Sequence, residues 1–137
     1  MNNKSILFLP LFSLACSEIK SSDLNTSGIY ASLSVVATSD TEAFASATLT
    51  AGSSSSLTFV ELTPGDSLSV QSDTDDQTLA YCGALGMHSY CGSFTDGYEN
   101  AWYNFDLKRS VEVSAPASEV YLPAPFEIIL PSNDDAF

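Results

Sequence analysis

Three carboxylates lie within four residues at Asp73, Asp75 and Asp76, and clustered oxygen ligands of this kind are the donors that calcium prefers. The spacing matches a helical calcium-binding loop only at its start. Gln77 and Thr78 stand where that loop needs another acid and a glycine, and no glutamate follows at the twelfth position. The sequence therefore favours a solvated acidic loop without a metal. A calcium-dependent adhesion module is the alternative that these residues leave open.

A second segment that could do chemistry is Gly65-Asp66-Ser67-Leu68, which resembles the signature of a family of lipases and esterases whose serine is the nucleophile. That family takes its base from an Asp-x-x-His near the C-terminus and needs a parallel sheet with helices. The only histidine, His88, has Leu85 three residues before it. Thr63-Pro64-Gly65-Asp66 has the proline and glycine positions of a type II turn. We therefore predict a turn followed by a strand, and a secreted hydrolase is the less favoured alternative.

His88 and a group of aromatic residues are the remaining candidates. A single imidazole among small and polar neighbours is predicted to be a surface side chain. The aromatic rings could stack on a sugar or a peptide, or they could cover the core and edge of the fold, and we predict the second role. They are Tyr90, Phe94, Tyr98, Trp102 and Tyr103. The sequence thus predicts no catalytic residue, no cofactor and no metal site.

The first sixteen residues have the layout of an export signal that ends at a cysteine. Lys4 gives a positive start, residues 6–12 are an uncharged apolar run, and small residues stand before Cys16. A helix over residues 6–16 would rise only about 17 Å, against about 30 Å for the core of a bilayer, so a membrane span is excluded here. We predict that residues 1–15 are a signal peptide and that the rest of the chain is exported.

Ser13-Leu14-Ala15-Cys16 resembles the lipobox of bacterial lipoproteins. This resemblance implies cleavage before Cys16, a lipid on its thiol and an acyl chain such as palmitate on the new amino terminus. Leucine is usual where Ser13 stands, and Ser13 with Ala15 also fits the small-x-small rule of an ordinary secretory signal. A soluble periplasmic or secreted protein with an unmodified Cys16 is therefore the alternative. The resemblance to lipoproteins also implies sorting to the outer membrane, because position 17 is serine and not aspartate.

The number of cysteines supports an anchor at Cys16, because three cysteines in an exported protein leave one unpaired. With lipid on Cys16, Cys82 and Cys91 remain as a pair. A bridge between them would close a loop of about ten residues and stabilise the fold by roughly 2.7 kcal/mol at most in the chain-entropy model. A zinc site is disfavoured, because zinc sites use closer cysteine spacings and four ligands. We predict a Cys82–Cys91 disulfide.

From Cys16 onward the chain carries three basic residues and seventeen acidic ones, a net charge of −14. Phosphates would be repelled by such a surface, so the composition argues against nucleic acid and anionic membranes as partners. Divalent cations and basic partners suit this charge better. A generally acidic, well-solvated surface also explains it, and we favour this explanation.

Polar and apolar residues alternate through residues 27–131, and no window has the three-and-four spacing of an amphipathic helix. The alternation predicts strands at 29–35, 43–49, 57–62, 67–71, 78–81, 101–108, 119–122 and 126–130. On the strand at 101–108, Tyr103, Phe105 and Leu107 share one face, and Trp102, Asn104 and Asp106 share the other. Seven or eight short strands predict an all-β fold, an antiparallel immunoglobulin-like β-sandwich.

The domain plan follows from composition. Residues 16–26 are polar and aperiodic, which predicts a lipidated N-terminus and a tether before a single domain at 27–131. Three segments of that domain resemble a group of uncharacterised bacterial envelope lipoproteins: Gly28-Ile29-Tyr30-Ala31-Ser32-Leu33-Ser34-Val35, Phe59-Val60-Glu61-Leu62-Thr63-Pro64-Gly65-Asp66 and Leu122-Pro123-Ala124-Pro125-Phe126. Members of that group often continue further, so residues 132–137 are expected to be a tail or truncated linker.

The resemblance implies no activity. We therefore predict a lipid-anchored, non-catalytic module of the cell envelope that serves binding or structural display. One partner is the lipid bilayer, through acylated Cys16. The other would be a protein or a carbohydrate.

Overall fold

The alternation of apolar and polar residues produces two β-sheets whose apolar faces share one core, so the predicted all-β, sandwich-like fold is confirmed. The computed structural model describes residues 17–39, 41–83, 88–95 and 100–124. The predicted signal peptide, Cys16, the expected strand at 126–130 and the tail at 132–137 lie outside these ranges. The described strands are β1 (Ser17–Lys20), β2 (Ile29–Ser39), β3 (Glu42–Ala51), β4 (Thr58–Glu61), β5 (Ser67–Gln71), β6 (Asp76–Thr78), β7 (Ala80–Tyr81), β8 (Tyr90–Phe94), β9 (Ala101–Lys108) and β10 (Ser118–Leu122).

The first sheet has the strand order β1-β4-β3-β8-β7, and β2 pairs with β3 as well. The second sheet has the order β10-β9-β5-β6. Among the described strands every pair is antiparallel except β1 and β4, which run parallel. The described residues contain ten strands, more than the seven or eight predicted. β1 and β8 were not expected, and the strand predicted at 78–81 is divided between the two sheets as β6 and β7.

The core combines small side chains from β3 with large ones from β9. Ala43, Ala45, Ala47 and Leu49 are at most 1% exposed, as their alternation predicted. Tyr103, Phe105 and Leu107 of β9 are buried in the same core, and the ring of Tyr103 meets Phe94 edge-on at a centroid distance of 5.3 Å. Small residues that share a core with large ones allow dense packing without voids.

Residues 17–26 fold together with the domain, although residues 16–26 were predicted to be a tether. β1 pairs with β4 from Ser17, opposite Thr58, to Lys20, opposite Glu61. Two short 3₁₀ helices, Ser21–Asp23 and Thr26–Gly28, then lead to β2. In the described residues no helix is long and apolar enough to cross a membrane. The polar composition of this segment did not predict its folded structure, because its polar groups form hydrogen bonds with residues distant in sequence.

Candidate functional site

The segment Gly65-Asp66-Ser67-Leu68 is a turn followed by β5, as predicted. The backbone N–H of Asp66 donates to the carbonyl of Thr63 at 3.0 Å, and Gly65 has a φ of 96°, which a residue with a Cβ rarely adopts. Ser67 pairs with Lys108 in the second sheet. The histidine that a serine nucleophile would need, His88, instead contacts Glu18 in the first sheet. Ser67 is therefore placed as a strand residue and not as a nucleophile with an adjacent base.

Asp66 and Arg109 form an ion pair in which both side chains are fully excluded from water. Arg109 Nε donates to Asp66 Oδ2 at 2.8 Å. Its two Nη atoms donate to the carbonyls of Ser21 (2.6 Å) and Leu24 (3.1 Å) and to Oγ1 of Thr26 (3.2 Å). A buried guanidinium is tolerated only when its donors are satisfied in this way. Arg109 therefore fastens the segment between β1 and β2 to the turn before β5.

The carboxylate of Asp66 is held in its ionised form by its hydrogen bonds. Burial alone would raise the pKa of Asp66. The N–H and hydroxyl of Ser110, the hydroxyl of Ser21 and Arg109 outweigh burial and lower that pKa from 3.8 to about 2. Asp66 is thus a structural residue whose charge is needed by the fold, and it is unavailable as a general acid near neutral pH.

The acidic loop at Asp73, Asp75 and Asp76 is a turn that uses its own side chains. Ser72 Oγ accepts a hydrogen bond from the N–H of Asp75 at 3.0 Å. The carboxylate of Asp75 accepts from the N–H of Asp76 at 2.9 Å and from Gln77 Nε2 at 2.8 Å. Both carboxylate oxygens of Asp75 thus accept a hydrogen bond from within the loop. In the described part of the chain, no group of three or more His, Cys, Asp or Glu side chains is positioned to hold a metal.

Cys82 and Cys91 are bridged, which confirms the predicted disulfide, and their Cα atoms are 5.8 Å apart. Cys91 lies on β8, opposite Ala80 of β7. The N–H of Cys82 donates to the carbonyl of Ser89 at 2.8 Å. The bridge therefore secures the connection between β7 and β8, which includes His88.

His88 lines a cleft of about 360 Å³ where β1 and β4 approach β7 and β8. Its ring stacks on Phe59 at a centroid distance of 4.8 Å, and Nδ1 lies 3.1 Å from the hydroxyl of Tyr81 and 3.2 Å from Oε1 of Glu18. The His88 side chain is 19% exposed, so it is more buried than the surface imidazole that was predicted. The other residues that line the cleft are Glu61, Leu62 and Tyr90.

The polar groups of this cleft are mostly engaged with one another. Tyr90 accepts a hydrogen bond from the N–H of Leu62, and burial raises the pKa of Tyr90, which keeps the phenol neutral. The carboxylates of Glu18 and Glu61 are 44% and 46% exposed, and each contacts a basic group, His88 for Glu18 and Lys20 for Glu61. A carboxyl group that donates protons in glycoside hydrolysis is typically held in an apolar pocket instead. Glu18 and Glu61 differ from that arrangement, because nearly half of each side chain is open to solvent and each has a basic neighbour.

The aromatic residues of the 90–103 region divide between the core and the surface. Tyr90, Phe94 and Tyr103 are 7%, 0% and 0% exposed, which confirms the core role predicted for them. Tyr98 lies outside the described residues. Trp102 is 50% exposed on the outer face of the second sheet, so the core part of the prediction is wrong for this residue.

Trp102 and Tyr121 form an exposed aromatic pair. They stand directly opposite each other on β9 and β10, with ring centroids 4.9 Å apart and ring planes at 43°. Tyr121 is 44% exposed, and its hydroxyl donates to Oδ1 of Asn100 at 2.9 Å. The same oxygen accepts from the N–H of Ala124 at 3.3 Å, and Asn100 has the positive φ of 54° that asparagine tolerates. The Tyr121 ring is therefore held in place beside Trp102, while about half of each residue stays open to solvent.

Polar side chains continue this outer face across the second sheet. The strand register places Asn104 of β9 opposite Gln71 of β5, and Gln71 opposite Asp76 of β6. One row further along, Asp106 stands opposite Ser69. We call the following residues the polar strip: Ser69, Gln71, Asp76, Asn104, Asp106 and Lys108. Together with Ala117 they line a cavity of about 280 Å³.

Tyr121, Asn104 and Gln71 were not predicted as site residues, and Arg109 was not expected to be buried. For Asn104 a signal was present, because alternation along β9 places it on the same face as Trp102. For Tyr121 the signal is weaker, since its position beside Trp102 depends on the register between two strands.

Among known proteins, no family model, no curated protein and no solved structure matches this chain. Function therefore has to be inferred from the side chains themselves. The resemblance of the sequence to envelope lipoproteins stays a prediction.

Proposed function

We propose that the protein is a non-catalytic binding module of the bacterial cell envelope, anchored through acylated Cys16, that presents the outer face of its second sheet to a ligand. The observation that carries this proposal is the exposed pair of Trp102 and Tyr121 beside the polar strip. Leaving apolar surface in water costs about 25 cal/mol for each Å² that could be buried. An exposed aromatic pair in which one ring is held by a hydrogen bond is typical of a binding surface.

Two observations support the location in the envelope. The leader ends in Ser13-Leu14-Ala15-Cys16, and the Cys82–Cys91 disulfide suits an oxidising compartment outside the cytoplasm. β1 begins at Ser17, one residue after the proposed lipid attachment site. Since one residue spans about 3.5 Å, an anchored domain would lie directly on the bilayer surface and not on a tether.

The anchor is tested by expressing the full chain in a bacterial host with lipoprotein processing and analysing membrane and soluble fractions. We expect the mass increment of the lipid on a protein that begins at Cys16 and partitions with membranes. A Cys16→Ser variant should lose both the increment and the membrane association. A soluble wild-type protein with an unmodified Cys16 would contradict the anchor and support the secreted alternative.

A hydrolase is the second candidate, because Glu18 and Glu61 line one cleft together with His88. Hydrolysis of a panel of glycosides and esters by the purified protein would test it. If the protein only binds, no turnover should depend on either carboxylate. Turnover that falls at least about a hundredfold in both Glu18→Gln and Glu61→Gln, within the range that acid–base groups contribute, would establish the enzyme instead.

A further inference from the structure

We infer that the ligand of the outer face is an uncharged oligosaccharide chain, with one sugar on the Trp102–Tyr121 pair and the next on the polar strip. This inference rests on the proposed function, because it takes the outer face of the second sheet as the binding surface. It specifies the chemical class of the ligand, and three features of the face support that class.

The aromatic pair suits the apolar face of a sugar ring. One face of a pyranose presents C–H groups whose hydrogens carry a partial positive charge, and the faces of aromatic rings are negative. Trp102 and Tyr121 are each about half exposed, and their planes are tilted by 43°, so two rings can contact one sugar from different sides. The hydrogen bond from Tyr121 to Asn100 orients this ring before a ligand arrives, which reduces the entropy cost of binding.

The polar strip suits the hydroxyl groups of the next sugar. Each hydroxyl both donates and accepts hydrogen bonds, so its partners should include both kinds of group. The amides of Asn104 and Gln71 each carry donors and an acceptor, and the Asp106 carboxylate adds acceptors beside the Ser69 hydroxyl. Asn104 lies two residues along β9 from Trp102, about 7 Å, and this distance is on the order of one sugar unit.

The charge of the face argues against other occupants. Asp76 and Asp106 belong to the polar strip, whose single base, Lys108, lies 4.0 Å from Asp106. On a protein with a formal net charge of −13, such a face repels anionic polysaccharides, nucleic acids and anionic lipid. The cavity of about 280 Å³ is also smaller than most enclosed small-molecule pockets, which suits part of a chain lying across an open sheet.

Binding is tested by electrophoresis of the folded protein through gels that contain a neutral polysaccharide, with β-glucan, xylan, mannan and soluble chitin oligomers as the probes. Alginate and oligolysine serve as the anionic and the basic comparison. We expect retardation by at least one neutral glycan and none by alginate. Titration calorimetry with oligomers of the retarding glycan then gives the dissociation constants of the variants.

Trp102→Ala and Tyr121→Ala should each weaken binding by at least about tenfold, which corresponds to about 1.4 kcal/mol, and Asn104→Ala should weaken it severalfold. The matched control is Tyr30→Ala, because Tyr30 is 44% exposed but lies on β2 of the first sheet. This variant should bind as the wild type does. Circular dichroism checks that each variant is folded before its affinity is interpreted.

The outcomes separate the two proposals. Binding of oligolysine that depends on Trp102, without binding of any neutral glycan, would overturn the ligand class but leave the outer face as the binding surface. Glycan binding that survives both aromatic substitutions but is lost in His88→Ala would overturn the outer face and move the site to the cleft. A wild-type protein that binds none of the probes would overturn the oligosaccharide inference, whereas the envelope anchor is tested separately by the fractionation of the full chain.

Discussion

Replacing Asp66 with asparagine should destabilise the domain strongly and change how its stability depends on pH. The substitution removes the carboxylate that neutralises Arg109, and both side chains are fully buried. Removing one partner of a buried ion pair typically costs about 3 to 5 kcal/mol, because the other charge is left uncompensated. For a domain of this size the melting temperature should fall by on the order of 10 to 20 °C.

The pH dependence follows from the lowered pKa of Asp66, which is about 2 in the folded protein against 3.8 as the ordinary value. Because the folded pKa lies below the unfolded one, the stabilisation is fully present above about pH 4 to 5 and is lost as the pH falls towards 2. At 1.36 kcal/mol for each pKa unit, this contribution amounts to roughly 2 to 3 kcal/mol.

Urea denaturation at pH 7, 5, 4 and 3, followed by circular dichroism and tryptophan fluorescence, measures both effects. The wild type should lose free energy of unfolding steeply below pH 4, and Asp66→Asn should lose less over the same range. Asp76→Asn is the control, since Asp76 is an exposed acid on the second sheet. This variant should show the same steep loss of unfolding free energy below pH 4 as the wild type. Equal pH slopes for Asp66→Asn and the wild type, with a loss of less than about 1 kcal/mol at pH 7, would refute this account of the ion pair.

Three further predictions concern the turn, the disulfide and the surface charge. Gly65→Ala should destabilise more than Gly52→Ala in chemical denaturation, because both glycines have a positive φ but only at Gly65 would a Cβ meet Ser110, at 3.0 Å. Reducing the Cys82–Cys91 bridge should lower the free energy of unfolding by up to roughly 2.7 kcal/mol. Thiol titration confirms that the bridge is reduced. Equal stability of the oxidised and reduced forms would contradict a stabilising role of the bridge. Monovalent salt should raise the melting temperature, because it screens the repulsion between acidic surface residues. Calcium at matched ionic strength should raise it little further. A calcium shift of several degrees that disappears when Asp73, Asp75 and Asp76 are replaced by asparagine would instead support the adhesion module.

The alternation of side chains predicted the inner faces of β3 and β9 correctly, since a period of two depends only on the residues of the strand itself. It failed for β1, whose sequence Ser17-Glu18-Ile19-Lys20 has one apolar residue and pairs with β4 about forty positions away. The burial of Arg109 could not be predicted from the sequence either. Its partners at Ser21 and Leu24 are 88 and 85 residues distant in sequence, so no local pattern could indicate it.

The sequence predicted only part of the candidate binding face on the second sheet. Trp102, Asn104 and Asp106 were placed together on one side of a strand, but Trp102 was assigned to core and edge cover along with the buried aromatics. Its true neighbour, Tyr121, depends on the register of β9 with β10, and the irregular connection between these strands has no tight turn that would fix the register from sequence. A chemical site that crosses strands requires their pairing to be known.

The parallel pairing of β1 with β4 also determines how the domain would respond to force. A pull at Ser17 along the strand axis would load the hydrogen bonds between β1 and β4 together, in shear, whereas strands that are peeled apart lose one bond at a time. Arg109 also donates hydrogen bonds to the carbonyls of Ser21 and Leu24, directly after β1. These hydrogen bonds would bear the force if the pairing of β1 with β4 broke. A domain held at this end while a ligand pulls on its second sheet would therefore resist tension well, with β1 as its mechanical clamp.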